Sequence, residues 1–165
     1  MLKKIAVLLV LLGCSFALML LTTGESKFEV RSQASFPVSQ AEVWQVLVAV
    51  GQWPDWWPGM EDARLEGAMT AGSEIGLRLK GMTSSELVML TEVRSLDELV
   101  WEGAGVFGSR TGTGFSLNSE TQGCRLTVTN FVHGPQAFLA RITGKDAFVQ
   151  YQQELLQSLR RSLQR

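Results

Sequence analysis

His133 is the only histidine in the chain, and it stands beside Gly134-Pro135 where an alternating run ends. Histidine is the commonest general base, yet a catalytic triad also needs a nucleophile and an orienting acid, and no spacing supplies them. One histidine also excludes the usual histidine-rich metal sites. The bland reading, a polar residue at a strand end, suits it better. The glycine-rich stretch Gly108-Ser109-Arg110-Thr111-Gly112-Thr113-Gly114 is followed by no Gly-Lys-Ser/Thr, and Thr143-Gly144-Lys145-Asp146 has Leu139 where a phosphate loop needs its first glycine. Glu74, Glu86, Glu92 and Glu102 read as the solvated faces of strands. Cys124 shares an alternating face with Leu126 and Val128 and reads as a small buried hydrophobe. Neither a cofactor motif nor a metal spacing stands out, so no cofactor is expected.

Two features point instead to binding. Asn130 falls on the apolar face of its run, and a buried amide needs partners. It could orient a ligand's polar group or bond to backbone near the C-terminal helix. The second feature is tryptophan. Trp44, Trp53, Trp56 and Trp57 fall within 14 residues, with Trp101 apart. Large aromatics beside a turn line pocket mouths, fill cores or anchor at membrane interfaces. Trp44 reads as core. Three tryptophans in five residues are not expected all to point inward, so Trp53 or Trp57 is expected at an entrance.

These residues must be positioned by secondary structure. Phe28 to Phe36 alternates as a first strand. Ser39-Gln40-Ala41-Glu42 is a capping box, starting a helix that Gly51 stops. Gln52 to Gly59 holds three tryptophans and two prolines and reads as a short aromatic turn or a single helical turn. Six strands follow: Ala63–Gly67, Ser73–Lys80, Ser85–Arg94, Leu99–Glu102, Phe107–Glu120 and Cys124–Val132. Alternation puts Ile75, Leu77 and Leu79 on one face, and Leu87, Met89 and Val93 on another. Gln136 to Arg165 has helical spacing, with Phe148, Gln152, Leu155, Leu159 and Leu163 along one side, Ile142 and Val149 nearby, and Gly144 as a bend. Antiparallel strands with helices at the ends make an α+β fold. A sheet of about seven strands must curl, and glycines at 103, 105, 108, 112 and 114 suit the curvature.

Residues 1–24 form a separate leader, with one domain over 25–165. Lys3 and Lys4 precede 17 uncharged residues, Ile5 to Leu21. A retained membrane helix is the leading reading. A signal cleaved near Gly24 and a lipidated Cys14 are the alternatives. Each sends the domain to the extracytoplasmic side. Without Lys3 and Lys4, 13 basic and 16 acidic residues remain, so no basic stripe favours nucleic acid.

The order of elements, together with the phrases Phe36-Pro37-Val38-Ser39-Gln40-Ala41-Glu42-Val43-Trp44, Trp53-Pro54-Asp55-Trp56-Trp57-Pro58-Gly59, Leu99-Val100-Trp101-Glu102-Gly103 and Gly123-Cys124-Arg125-Leu126-Thr127-Val128, resembles the START-like (SRPBCC) superfamily, the polyketide cyclase/dehydrase and lipid transport group. The resemblance covers roughly residues 28 to 163. It implies a helix-grip fold, a curled antiparallel sheet wrapped around a long C-terminal helix, with a ligand space between them. The function expected is a membrane-tethered binder or carrier of a hydrophobic small molecule, lipid-like or polyketide-like. A cyclase or dehydratase using the same space is one alternative, and an interaction module whose cavity is filled by its own side chains is another. Period-2 alternation assigns the walls to Leu77, Leu79, Met89, Trp101, Phe115, Val128 and Asn130. Phe148 and Leu155 would close the helix side, and Trp53 or Trp57 the entrance. A bulge would reverse the members of any strand it enters.

Overall fold

The capping box forms as read: the Ser39 hydroxyl accepts from the Glu42 backbone N–H while the Glu42 carboxylate accepts from the Ser39 N–H. It starts helix α1 (Gln40–Val48), which buries Val43, Trp44 and Leu47. A 3-10 turn at Val50–Gln52 leads into α2 (Trp53–Trp56), a single helical turn with Pro54 near its start, where proline's missing N–H costs nothing. These pieces link β1 (Lys27–Phe36) to β2 (Met60–Glu66). In the computed structural model, residues 26–164 are described, together with Ile5 and Gly13. The rest of the apolar leader, read above as a membrane or signal segment, lies outside the described residues. Among those described, no helix is long and apolar enough to cross a membrane.

The remaining strands are β3 (Glu74–Leu79), β4 (Glu86–Arg94), β5 (Glu98–Ala104), β6 (Arg110–Glu120) and β7 (Gly123–His133). All pairings are antiparallel, in the order β1-β7-β6-β5-β4-β3-β2. The C-terminal stretch divides at Gly144 into α3 (Gln136–Thr143) and α4 (Lys145–Ser162). Helix α4 lays Leu155, Leu156 and Leu159 on the inner face of the sheet, against a core that includes Phe36, Leu99, Phe115, Leu126 and Val128. The result is the curled seven-stranded sheet around a long C-terminal helix that the sequence implied.

Turn chemistry holds the register. Gly123 has φ +104°, and a β-carbon there would collide with the Phe36 carbonyl, so only glycine fits the β6–β7 turn. Cys124 is fully buried, and burial pushes its thiol pKa up.

Two strands depart from simple alternation: β2, whose register with β3 shifts between Met60 and Asp62, and β4. The β4–β5 register shifts between Leu90 and Glu92, so Thr91 is an extra residue, a β-bulge. Val93 faces inward as read. N-terminal to the bulge the phase is reversed, so Val88 and Leu90 are buried while Leu87 and Met89 lie on the outer face. Met89 is 48% exposed and does not line the interior. Leu79 keeps its phase with Ile75 and Leu77, but it ends β3 and is 41% exposed. Ile142, placed near the buried stripe by spacing, belongs to α3 beyond the Gly144 break and is exposed.

Candidate functional site: the space between sheet and C-terminal helix

Alternation along β5, β6 and β7 sends Trp101, Phe115 and Val128 to the inner face, where Leu99 pairs with Phe115 and Phe115 with Val128. The segment from α2 to Trp57 then lays its tryptophans onto that face. Trp53 and Trp101 have ring centroids 5.0 Å from Trp57 for the first and 5.1 Å from Trp53 for the second. Trp57 meets Phe115 edge to face at 5.7 Å, and Trp101 lies 5.5 Å from Phe115. Such spacings fall in the favourable range for aromatic pairs. Trp53, Trp56 and Trp57 are all buried, which corrects the expectation that one would stand at an entrance. The α2 turn followed by extended Trp57 aims successive indoles at different parts of one core, so three in five residues can all be covered.

Two of these indoles have polar tethers. Trp53 Nε1 donates to the Leu47 carbonyl at 2.9 Å. Trp57 Nε1 donates to the Tyr151 hydroxyl of α4 at 2.5 Å. Burial raises the Tyr151 pKa, and the bond from Trp57 opposes that shift. Tyr151 is therefore a neutral phenol at physiological pH. Trp56 Nε1 is buried without a hydrogen-bond partner among the described residues, as is His133 Nε2. His133 lies on the outer face near Phe131, rings 5.2 Å apart, beside a hollow of about 270 Å³ that also borders Lys27, Glu29 and Val100.

Next to the aromatic cluster lies a polar knot. Gln152 of α4 is fully buried. Its amide nitrogen donates to the Val30 carbonyl at 2.9 Å, the Val128 carbonyl at 3.3 Å and Asn130 Oδ1 at 2.9 Å. Its oxygen accepts from the Ser32 hydroxyl at 2.7 Å. Asn130 Nδ2 in turn donates to Thr113 Oγ1 at 2.8 Å. Asn130 thus spends both ends of its amide inside the protein, tying β6, β7 and α4 together. Sequence reasoning singled out Asn130, placed Gln152 on the inner stripe of the helix without a role in the site, and missed Tyr151, Ser32 and Thr113. The available signal was a glutamine in the middle of an apolar helical stripe, which a core admits only with partners.

Of the remaining wall residues, Leu77 is half-buried against the core and Leu155 is buried within it. Phe148 instead joins a second, smaller cluster with Phe28, Val30, Val132 and Ala137, its ring 5.7 Å from that of Phe28. The structure therefore brings Trp53, Trp57, Trp101, Phe115, Val128, Asn130 and Leu155 together, and leaves Leu79 and Met89 outside.

The fold recurs among solved structures. A protein from Nitrosomonas europaea superposes with a TM-score of 0.65 at 17% identity, covering 82% of this chain and 94% of that one. A Rhodobacter sphaeroides protein gives 0.67 at 15%, covering 82% and 91%. A truncated norcoclaurine synthase from Thalictrum flavum gives 0.63 at 12%, covering 85% and 95%. At these identities the likeness is one of fold. No curated protein matches the sequence. The family model described as polyketide cyclase / dehydrase and lipid transport matches residues 27–164, from the first residue of β1 to beyond α4. With that match over nearly the whole described domain, the chain belongs to the polyketide cyclase / dehydrase and lipid transport family.

Proposed function

We propose that this protein binds an apolar, ring-containing small molecule between the sheet and α4, and is held at a membrane by residues 5–21. The observation that carries the reading is the aromatic cluster of Trp53, Trp57, Trp101 and Phe115, lying between the inner face and the helix. Apolar and aromatic linings with a few placed polar groups are the usual make-up of a ligand site. Ring-on-ring contacts are also the kind that a flat ligand can replace one for one. In this reading Trp57 is the ring that a ligand displaces. Its indole is tethered to a side chain, the Tyr151 hydroxyl, and not to backbone, so a rotamer change on α4 frees it. A ligand burying ~300 Å² of apolar surface would gain ~7 kcal/mol before ordering costs at ~25 cal/mol per Å². After those costs an affinity on the order of micromolar is expected.

A second reading is an interaction module that holds no ligand. The ring contacts within the cluster favour it, because side chains of the protein already occupy the space. Native mass spectrometry of the full chain, released from mild detergent after preparation from its own host, separates the two. One small apolar adduct per chain is expected, with a shift in tryptophan emission when it is stripped. A chain free of adduct, whose emission ignores a lipophilic probe at saturation, would replace the binder by the interaction module.

A further inference from the structure

The strand register defines two ends of the sheet. Lys27 pairs with His133, His133 with Arg110, Arg110 with Ala104, and Met60 with Leu79. The start of β1, the β3–β4 turn, the β5–β6 turn and α3 therefore share one end. Ser26 is fixed there, its carbonyl accepting from Gly134 N at 2.8 Å, and Arg141 of α3 donates to the Lys27 carbonyl at 2.8 Å. The opposite end carries the β2–β3, β4–β5 and β6–β7 turns.

Exposed large apolar side chains are divided very unequally between these ends. Leu79, Met82, Leu87, Val106, Phe138 and Ile142 are exposed at the Ser26 end, whereas Leu96 lies at the other end and Met89 on the outer face between the two. Helix α3 is built the wrong way round for a water-facing helix. Its small residues Ala137 and Ala140 pack against the protein beside Phe28 and Val132. Its large ones face out, Phe138 at 38% and Ile142 at 66% exposure. Beside it, Val106 is 54% exposed in the β5–β6 turn, whose N–H donates to Gln136 Oε1 of α3 at 3.2 Å. The next residue, Phe107, adopts a left-handed backbone with φ +55°, an uncommon state for a bulky side chain. Exposed apolar side chains gathered at one end of a domain point to an interaction site.

We infer that this end of the domain docks onto the surface of a phospholipid bilayer, with Val106, Phe138 and Ile142 dipping into the interface. The inference rests on the reading that residues 5–21 hold the chain in that bilayer. The occupant is chosen by reach. The five residues from Thr22 to Ser26 span at most ~18 Å at ~3.5 Å each, so a chain anchored through Leu21 keeps Ser26 within that distance of the interface. The end that carries Ser26 is the end that carries the apolar side chains. Helices that lie on membranes bury just such a face to a depth of ~5–10 Å.

Single-cysteine variants of the full chain, in a Cys14→Ser background with Cys124 buried, test this. An environment-sensitive fluorophore is placed at Val106→Cys, Ile142→Cys or, at the far end, Gln122→Cys. Each chain is reconstituted into phosphatidylcholine vesicles with or without spin-labelled lipid. Flotation with the vesicles reads the anchor alone, and a chain that stays behind overturns the anchor and the docking together. In floated chains, spin-labelled lipid is expected to quench positions 106 and 142 at least threefold more than position 122. Adding Phe138→Glu to the Val106→Cys chain should keep flotation and abolish most of that quenching. Equal, weak quenching at all three positions overturns docking while leaving the anchor intact. Shielding from aqueous iodide without lipid quenching assigns the surface to residues 5–21 and overturns it too. So does a signal that vanishes when vesicles hold fewer than one chain each, which would mean contact between copies.

Discussion

Between the sheet and α4, Trp53, Trp57, Trp101 and Phe115 touch ring to ring, and Gln152 finds partners for every polar atom of its amide. At the Ser26 end, α3 turns alanines inward and leaves Phe138 and Ile142 outside. The two regions draw on the same residue types and treat them in opposite ways. The difference teaches that the exposed surface is not left over from a poorly filled core. The chain packs bulky aromatics wherever packing is what the position needs. Large apolar side chains that stay outside, on a helix whose inner positions hold alanine, are there for a contact beyond the domain.

The comparison can be broken most forcefully at the knot. Gln152→Leu keeps the helix and the volume but strands Asn130 Oδ1, the Ser32 hydroxyl and two strand carbonyls. A buried group left unpaired costs ~1–3 kcal/mol, so a loss of ~3 kcal/mol in urea unfolding is expected. A loss under ~1 kcal/mol would mean that the interior is looser than its hydrogen bonds imply.

Tyr151→Phe sharpens the comparison with a smaller effect and a pH signature. It leaves the Trp57 indole N–H unpaired, costing ~1 kcal/mol at pH 7. Burial raises the folded-state pKa of Tyr151 above its ordinary ~10, so the folded protein keeps this proton while the unfolded chain releases it. Its contribution is present below pH ~10 and is lost as the pH rises through the folded-state value. Wild type should therefore lose stability from pH 9 to 11 faster than the variant, and the gap between them should narrow. Parallel curves in urea titrations across that range would count against a buried phenol.

The smallest effect is expected at the exposed end. Ile142→Ser removes a side chain that already faces outward, so stability should change by no more than ~0.5 kcal/mol. A loss above 1.5 kcal/mol in the same unfolding assay would show that α3 is part of the packed core, and the contrast between the two regions would collapse.

Much of this architecture was legible from local rules. The capping box at Ser39 and Glu42, the turn at Gly123 and the alternation along β1, β6 and β7 each depend on neighbours a few residues away. Hydrogen-bond and side-chain geometry repeats at that range with fixed periods. Those rules determined the seven strands, the α+β order, the buried Cys124 and the break at Gly144. Three things were decided only in the tertiary structure. The bulge at Thr91 reversed Leu87 and Met89, because an extra residue is defined by its pairing with β5 and leaves no mark in β4 alone. The burial of all three clustered tryptophans depended on α4 and β5 arriving over them, from residues such as Tyr151 and Trp101 that lie far along the chain. Gln152 became the centre of a knot because β1 and β7 present Val30, Ser32 and Asn130 to it across more than 20 residues of sequence in one case and 120 in another. Local pattern chooses the elements. Which of their faces meet, and which polar atoms are thereby paired, is a property of contacts between distant segments, and those form only when the whole sheet has closed around its helix.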